Sequence, residues 1–205
     1  MNKPSLKYQL GIINSGIKVS ERVLLNFHLE MKGNLFKEKE IITSQLRRPP
    51  QGLLGVAKHC FKGRPLVILT NPILEDKTPF PTVFWLTCPV LIKEVAKLES
   101  EGWIDCFQAL LDKDEELYQK FVQAHESYRL FRKQLLFPAS RMSLSPAKER
   151  VLLKTGVGGV RDFGKIKCLH AHYAHFLATG INPIGELIHK KIGEISSCQN
   201  ECESE

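Results

Sequence analysis

An α+β architecture follows from three features of the sequence. Three short strand-like runs crowd into residues 53–87, the spacing between them is too short for crossover helices, and helical periodicity fills most of the remaining chain. Three strands cannot bury both faces of a sheet alone, so a small antiparallel sheet of about three strands is expected under five or six helices. Of the 205 residues, 43 % are hydrophobic and 25 % charged. That composition excludes a fibrous repeat or wholesale disorder and suits one domain with an extension. No apolar run reaches about 18 residues, so no membrane-spanning helix is expected.

Residues 1–44 read as an N-terminal extension, with Met31 a candidate natural start and residues 1–30 upstream of it. A single α+β domain is expected over 45–192. Arg47-Arg48-Pro49-Pro50 marks its beginning, because a proline pair cannot continue a helix. The run 53–57 is short and apolar. The next, 65–70, is β-branched and bounded by Lys62-Gly63 and Asn71-Pro72, and 82–87 is β-branched and aromatic. Pro89 suits a first helical turn, after which Leu91, Val95 and Leu98 repeat at i, i+4 and i+7 until Gly102. Over 114–136, Leu117, Phe121, Ala124, Tyr128, Phe131 and Leu135 form one stripe, which Pro138 stops. Ser145-Pro146 reads as N-cap and first turn of another helix. A helix over about 165–178 is closed by Gly180, Asn182-Pro183 opens the last, and 193–205 reads as a disordered acidic tail.

Lys and Arg number 29 against 22 Asp and Glu, a formal charge of +7. A basic surface favours anionic partners such as nucleic acid or phosphorylated metabolites, although the excess is spread out and suits a solvated surface equally well. The first residues lack the continuous apolar core and cleavage site of a secretory signal, so a cytoplasmic setting is expected. There the six cysteines, Cys60, Cys88, Cys106, Cys168, Cys198 and Cys202, read as packing residues, metal ligands or redox groups rather than disulfides.

The richest chemistry lies in Cys168-Leu169-His170-Ala171-His172-Tyr173-Ala174-His175. On a helical projection Ile166, Leu169, Tyr173, Phe176 and Leu177 share a face, with His170 on its flank. Cys168, His172 and His175 fall on the opposite face. Cys168 and His170 could then meet one ion only if Cys168 stands at the helix start with non-helical backbone. The alternatives are a buried His170, or an outward set of Cys168, His172 and His175 that is either ligating or an ordinary solvated face. Cys88, before Pro89, sits where a strand end meets helix amides, which favours a thiolate. Cys60 sits at the turn of an expected hairpin. Cys60, Cys88 and Cys168 occupy three element ends, and with His170 they would complete a tetrahedral zinc site; three thiolates alone could hold an iron–sulfur cluster. Gly158 and Gly159, with Arg161, Lys165 and Lys167, could cradle a small anion, although neither a Walker motif nor a dinucleotide fingerprint is present.

At these residues the chain resembles a bacterial family, domain-of-unknown-function family 501. The matching pieces are Gln45-Leu46-Arg47-Arg48, Gly55-Val56-Ala57 through Cys60, Gly63 with Pro65, and Phe80-Pro81-Thr82. They continue with Trp85-Leu86-Thr87-Cys88-Pro89, Leu98-Glu99, Gly156-Val157-Gly158-Gly159-Val160, Lys167-Cys168-Leu169-His170 and Asn182-Pro183-Ile184-Gly185. The resemblance spans about residues 45–188 and implies no activity. It favours Cys60, Cys88, Cys168 and His170 over His172, His175, Cys106, Cys198 and Cys202.

The leading expectation is a metal-binding protein or enzyme, with zinc or an iron–sulfur cluster on Cys60, Cys88, Cys168 and His170, and a small anionic ligand on Arg161, Lys165 and Lys167. Metal-free thiol chemistry would use Cys88 or Cys168 as thiolate and His170 as base. A non-enzymatic RNA- or protein-binding module would use Arg47-Arg48 with Phe84 and Trp85. Those two aromatics alternate on their strand and so point to opposite faces of the sheet.

Overall fold

The computed structural model describes residues 35–136 and 144–193. The expected start at Met31, most of the extension, Pro138, the acidic tail beyond Gly193, Cys198 and Cys202 lie outside the described residues. The described residues form an α+β fold with a three-stranded antiparallel sheet and seven α-helices. In chain order these are α1 (Leu35–Leu46), β1 (Leu53–His59), β2 (Pro65–Thr70), β3 (Phe84–Leu86), α2 (Pro89–Ser100), α3 (Trp103–Leu111), α4 (Glu115–Leu135), α5 (Pro146–Lys154), a 3₁₀ turn (Val157–Gly159), α6 (Leu169–Thr179) and α7 (Pro183–Ile192).

The sheet runs β1-β2-β3, with Val56 opposite Ile68 and Ile68 opposite Trp85. Alternation along β2 sends Val67 and Leu69 to the main core and Ile68 to the other face. The main core joins Val67, Leu69, Phe84 and Leu86 to Leu91 and Val95 of α2, Phe121 and Tyr128 of α4, and Leu169 and Tyr173 of α6. Burying a large apolar side chain of this kind stabilises the fold by about 1.5–3 kcal/mol.

The opposite face is covered by α1. Ile42 is fully buried against Val56 and Ile68, the Gln45 Nε2 donates to the Pro65 carbonyl at 2.9 Å, and Glu38 meets the His59 Nε2 at 2.7 Å. This helix therefore begins inside the stretch read from sequence as an extension. With α3, which follows Gly102 directly, it accounts for the helices beyond the expected five or six. Phe84 is buried in the core. Trp85, on the other face, stacks on Phe80 at 5.5 Å and lies under the Arg48 guanidinium at 5.9 Å. No helix among the described residues is long and apolar enough to cross a membrane.

The caps explain the helix starts. Asp114 accepts from the Leu117 amide, Ser145 from that of Lys148 and Asn182 from that of Gly185. The helix expected over 165–178 begins only at Leu169. Residues before it are held in irregular backbone, with the Ile166 amide donating to the Gln108 Oε1 at 3.1 Å.

Candidate metal centre

Cys168 is the N-cap of α6 and is extended, at φ −152° and ψ 118°. This is the non-helical start that allows Cys168 and His170 to face one point. The Leu169 amide, first in the helix, donates to Glu99 Oε1 at 2.7 Å. Glu99 stands near the C-terminus of α2, where the helix dipole disfavours a carboxylate; the N-terminus of α6 offers it the opposite field. His170 Nδ1 lies 3.2 Å from the same Glu99 oxygen, and its Nε2 lies 3.1 Å from the Ile92 carbonyl. A carbonyl only accepts, so Nε2 carries a proton and donates it, and Nδ1 is the ring atom turned to Glu99. One donor atom from each of Glu99, Cys168 and His170 lies within 4.8 Å of the others, and all three residues are half-buried.

Burial alone would favour a neutral His170. The bond to Cys168, the Glu99 carboxylate and the Ile92 carbonyl together outweigh it and push the ring up to about 9. His170 is therefore an imidazolium at neutral pH, with its Nδ1 proton shared toward the carboxylate.

The expected ligand set of Cys60, Cys88, Cys168 and His170 divides. Only Cys168 and His170 come together, and Glu99 completes their group. Cys60 lies in the β1–β2 turn, where its sulfur accepts from the Arg64 amide at 3.4 Å. Cys88 caps α2 and is buried in the main core. Cys88 and Glu99 are at opposite ends of that helix, and 11 residues at about 1.5 Å rise put roughly 16 Å between them. Cys168, tied to the Glu99 end, is thus removed from Cys88. The described cysteines, Cys60, Cys88, Cys106 and Cys168, form no disulfide.

The expected anion cradle is also rearranged. Gly158 and Gly159 adopt φ of 67° and 73°, which suits glycine, in the turn before α6. Neighbouring amides are directed into the protein. Val157 donates to His125 Nδ1 at 2.9 Å, Gly156 to the Val160 carbonyl and Gly159 to that of Gly156. Arg161, Lys165 and Lys167 are exposed around this turn. The N-terminus of α6, which follows these residues, already receives Glu99.

His172 and His175 do not form an outward face. Both are buried, together with His125 of α4. Asn182 fixes their protonation geometry. Its Oδ1 accepts from the Gly185 amide, so its Nδ2 is the donor to His172 Nδ1 and His175 Nδ1, both at 3.1 Å. His125 Nδ1 likewise accepts, from Val157. All three rings therefore carry their proton on Nε2. Burial pushes His125 down to about 4, with Asp162 opposing weakly, and His175 down to about 3, with His125 adding to the effect. His172 is driven well below the usual histidine range by burial and by the other two rings. Aromatic neighbours Phe121, Phe84 and Tyr128 enclose the trio. Because each Nε2 carries a proton, this arrangement is a packed network of neutral rings rather than a ligand set.

Glu99 is the member of the candidate centre that sequence reasoning misses. The pair Leu98-Glu99 belongs to the motif pieces, but nothing local marks a carboxylate near a helix C-terminus as a ligand. His125 and Asn182 are similarly hidden, the one inside an apolar stripe and the other as a helix cap.

A family model described as protein of unknown function (DUF501) matches residues 56–190. No curated protein and no solved structure matches the chain significantly.

Proposed function

The chain belongs to the DUF501 family, and we propose that it binds zinc through Glu99, Cys168 and His170. The observation that carries this reading is the commitment of the His170 Nε2 proton to the Ile92 carbonyl. Histidines that ligate metals are commonly held in this way, by a backbone carbonyl on the far ring nitrogen, which leaves the other nitrogen to the ion once its proton is displaced. Here the other nitrogen is Nδ1, already beside a carboxylate and a thiol. Sulfur, nitrogen and oxygen donors in one group suit zinc, and three protein ligands leave a position open. Zinc held so supplies a Lewis acid for a small anionic, for example phosphorylated, ligand. Exposed Lys167, next to Cys168, adds positive charge at that edge.

An iron–sulfur cluster is less well supported, because Cys60 and Cys88 lie outside the group. A nucleic-acid module is less well supported too, since the Trp85 ring is already engaged by Phe80 and Arg48. A reducing, cytoplasmic setting fits a site that needs Cys168 as a thiol.

Elemental analysis and a zinc titration against a chromophoric chelator test the proposal. One zinc per chain is expected in the wild type, and none in Cys168→Ser or His170→Gln. Cys60→Ser should bind as the wild type does. Glu99→Gln is expected to weaken binding at least about tenfold. Absence of stoichiometric zinc in the wild type, or equal loss in Cys60→Ser, would rule the site out.

A further inference from the structure

The turn over 156–159 lies between the buried histidines and the metal centre. Three of its four residues are glycines, so Val157 carries its one side chain. Gly158 and Gly159 hold positive φ of 67° and 73°, which glycine adopts with little penalty. On one side the turn lies flat on a histidine ring: a Cβ at Gly156 would stand 2.2 Å from His125 Nδ1. On the other side it borders the metal centre: a Cβ at Gly158 would stand 3.6 Å from the Ala171 Cβ and 3.9 Å from the Cys168 Cβ.

Two hydrogen bonds close the turn on itself, from Gly156 to the Val160 carbonyl and from Gly159 to that of Gly156. The bond that fastens it to α4 runs from the Val157 amide to His125 Nδ1 at 2.9 Å, between buried groups. A ring nitrogen that accepts from an amide has its lone pair engaged, and it takes up a proton only by giving up that bond. The other ring nitrogen already carries one. Charging His125 and holding the turn therefore exclude each other. The surroundings offset such a charge poorly. The titratable groups that bear on the ring are His172 and His175 of α6, both neutral, and Asp162, just beyond the turn, which opposes burial weakly. On its own helix Glu126 and Arg129 pair with each other, and Phe121 and Phe163 pack on the ring itself.

We propose that this turn is an acid-released latch: a proton arriving at His125 Nδ1 displaces the Val157 amide, frees the turn from α4 and uncovers the Cys168 side of the metal centre. What the latch opens onto rests on the proposed zinc site; the latch itself does not. Only the released ring binds the proton readily, since burial holds His125 at about 4 in the closed turn against the usual 6.5. The closed turn is thus favoured above pH 6.5 and loses that advantage as pH falls. From pH 7 to pH 5 its opening equilibrium should rise about twentyfold.

Amide hydrogen exchange of the full chain, read by NMR without added zinc, tests the latch apart from the metal. After correction for the intrinsic rate, the Val157 amide should open about twentyfold more often at pH 5 than at pH 7. At both pH values it should exchange faster than the Phe121 and Tyr128 amides of the core, which open with global unfolding. His125→Gln keeps an acceptor for the Val157 amide but has no ring to charge, so its Val157 opening should be the same at both pH values. The proposal is overturned if Val157 opening in the wild type is indifferent to pH, if it matches the core amides at both pH values, or if folded His125→Gln keeps the full pH response. Where the glutamine variant does not fold, the two wild-type readings decide.

Discussion

Gly185, in the first turn of α7, is defined by what a single methyl would strike. A Cβ there would lie 2.2 Å from the Phe176 Cβ and 2.5 Å from the His172 carbonyl oxygen. Both atoms belong to α6 at or next to its backbone, so neither can swing aside. The close approach of the two helices is what lets Asn182, the cap of α7, reach His172 and His175. Gly185→Ala should therefore cost about 3 kcal/mol or more, read as a drop in the urea midpoint at unchanged slope. A loss within the scatter of ordinary surface substitutions would mean that the two helices can separate without disturbing the core. The histidines carry a second expectation at this level. Long-range ¹⁵N correlation spectra at neutral pH should show His125, His172 and His175 all as the neutral form protonated on Nε2. A resonance from a ring protonated on Nδ1 would refute the hydrogen-bond pattern assigned to Asn182 and Val157.

Between elements, Arg132 makes a threefold polar tie. Its side chain is buried on α4, with no carboxylate paired to it among the described residues. Nε donates to the Leu152 carbonyl at 2.7 Å, one Nη to that of Pro81 at 2.9 Å, and the other to that of Thr155. One guanidinium thus fastens the end of α5 and the approach to β3 onto α4. A lysine has the charge but not the fork. Arg132→Lys is expected to leave carbonyls unsatisfied and to lose about 2–4 kcal/mol, with hydrogen exchange accelerated in α5 before the rest of the molecule. Uniform exchange across all helices would deny that role. The same elements show what sequence patterns carry. The runs 53–57 and 65–70, the stripe on α4 and the helix starts at Ser145 and Asn182 are legible because each signal is local: a short apolar or β-branched run, 3.6-residue periodicity, or a side chain bonding an amide three residues on. Helix α6 defeats the projection because it is central. His172, Tyr173, Ala174 and His175 are consecutive and all buried, whereas a helical projection presumes one apolar face. Likewise Glu99 becomes a cap and candidate ligand only by meeting Leu169, 70 residues away. Sequence spacing makes a site shared by Cys168 and His170 conditional on non-helical backbone at Cys168, and its extended conformation meets that condition.

Across the whole molecule, the ionisable groups of the interior act on stability with opposite signs. His125 and His175 have folded-state values of about 4 and about 3, below the unfolded 6.5. Their contribution is fully present above pH 6.5 and is lost as pH falls through those values, since the unfolded chain then binds more protons. For His125 the shift corresponds to about 3 kcal/mol. His170 has a folded-state value raised to about 9, so its contribution is present below pH 6.5 and lost as pH rises through 9. The unfolding free energy should accordingly peak near pH 6.5 and fall on both sides. His170→Gln should flatten the alkaline limb and leave the acid limb in place. Zinc should do the same by a different route: an ion on Nδ1 takes the place of the proton, so stability no longer depends on keeping that proton at high pH. Urea titrations from pH 4 to pH 10, with and without zinc, read both limbs. An alkaline limb indifferent to His170→Gln would remove the ring from its assigned contacts with Glu99 and Ile92. A limb that responds to the substitution but not to zinc would keep the contacts and remove the metal.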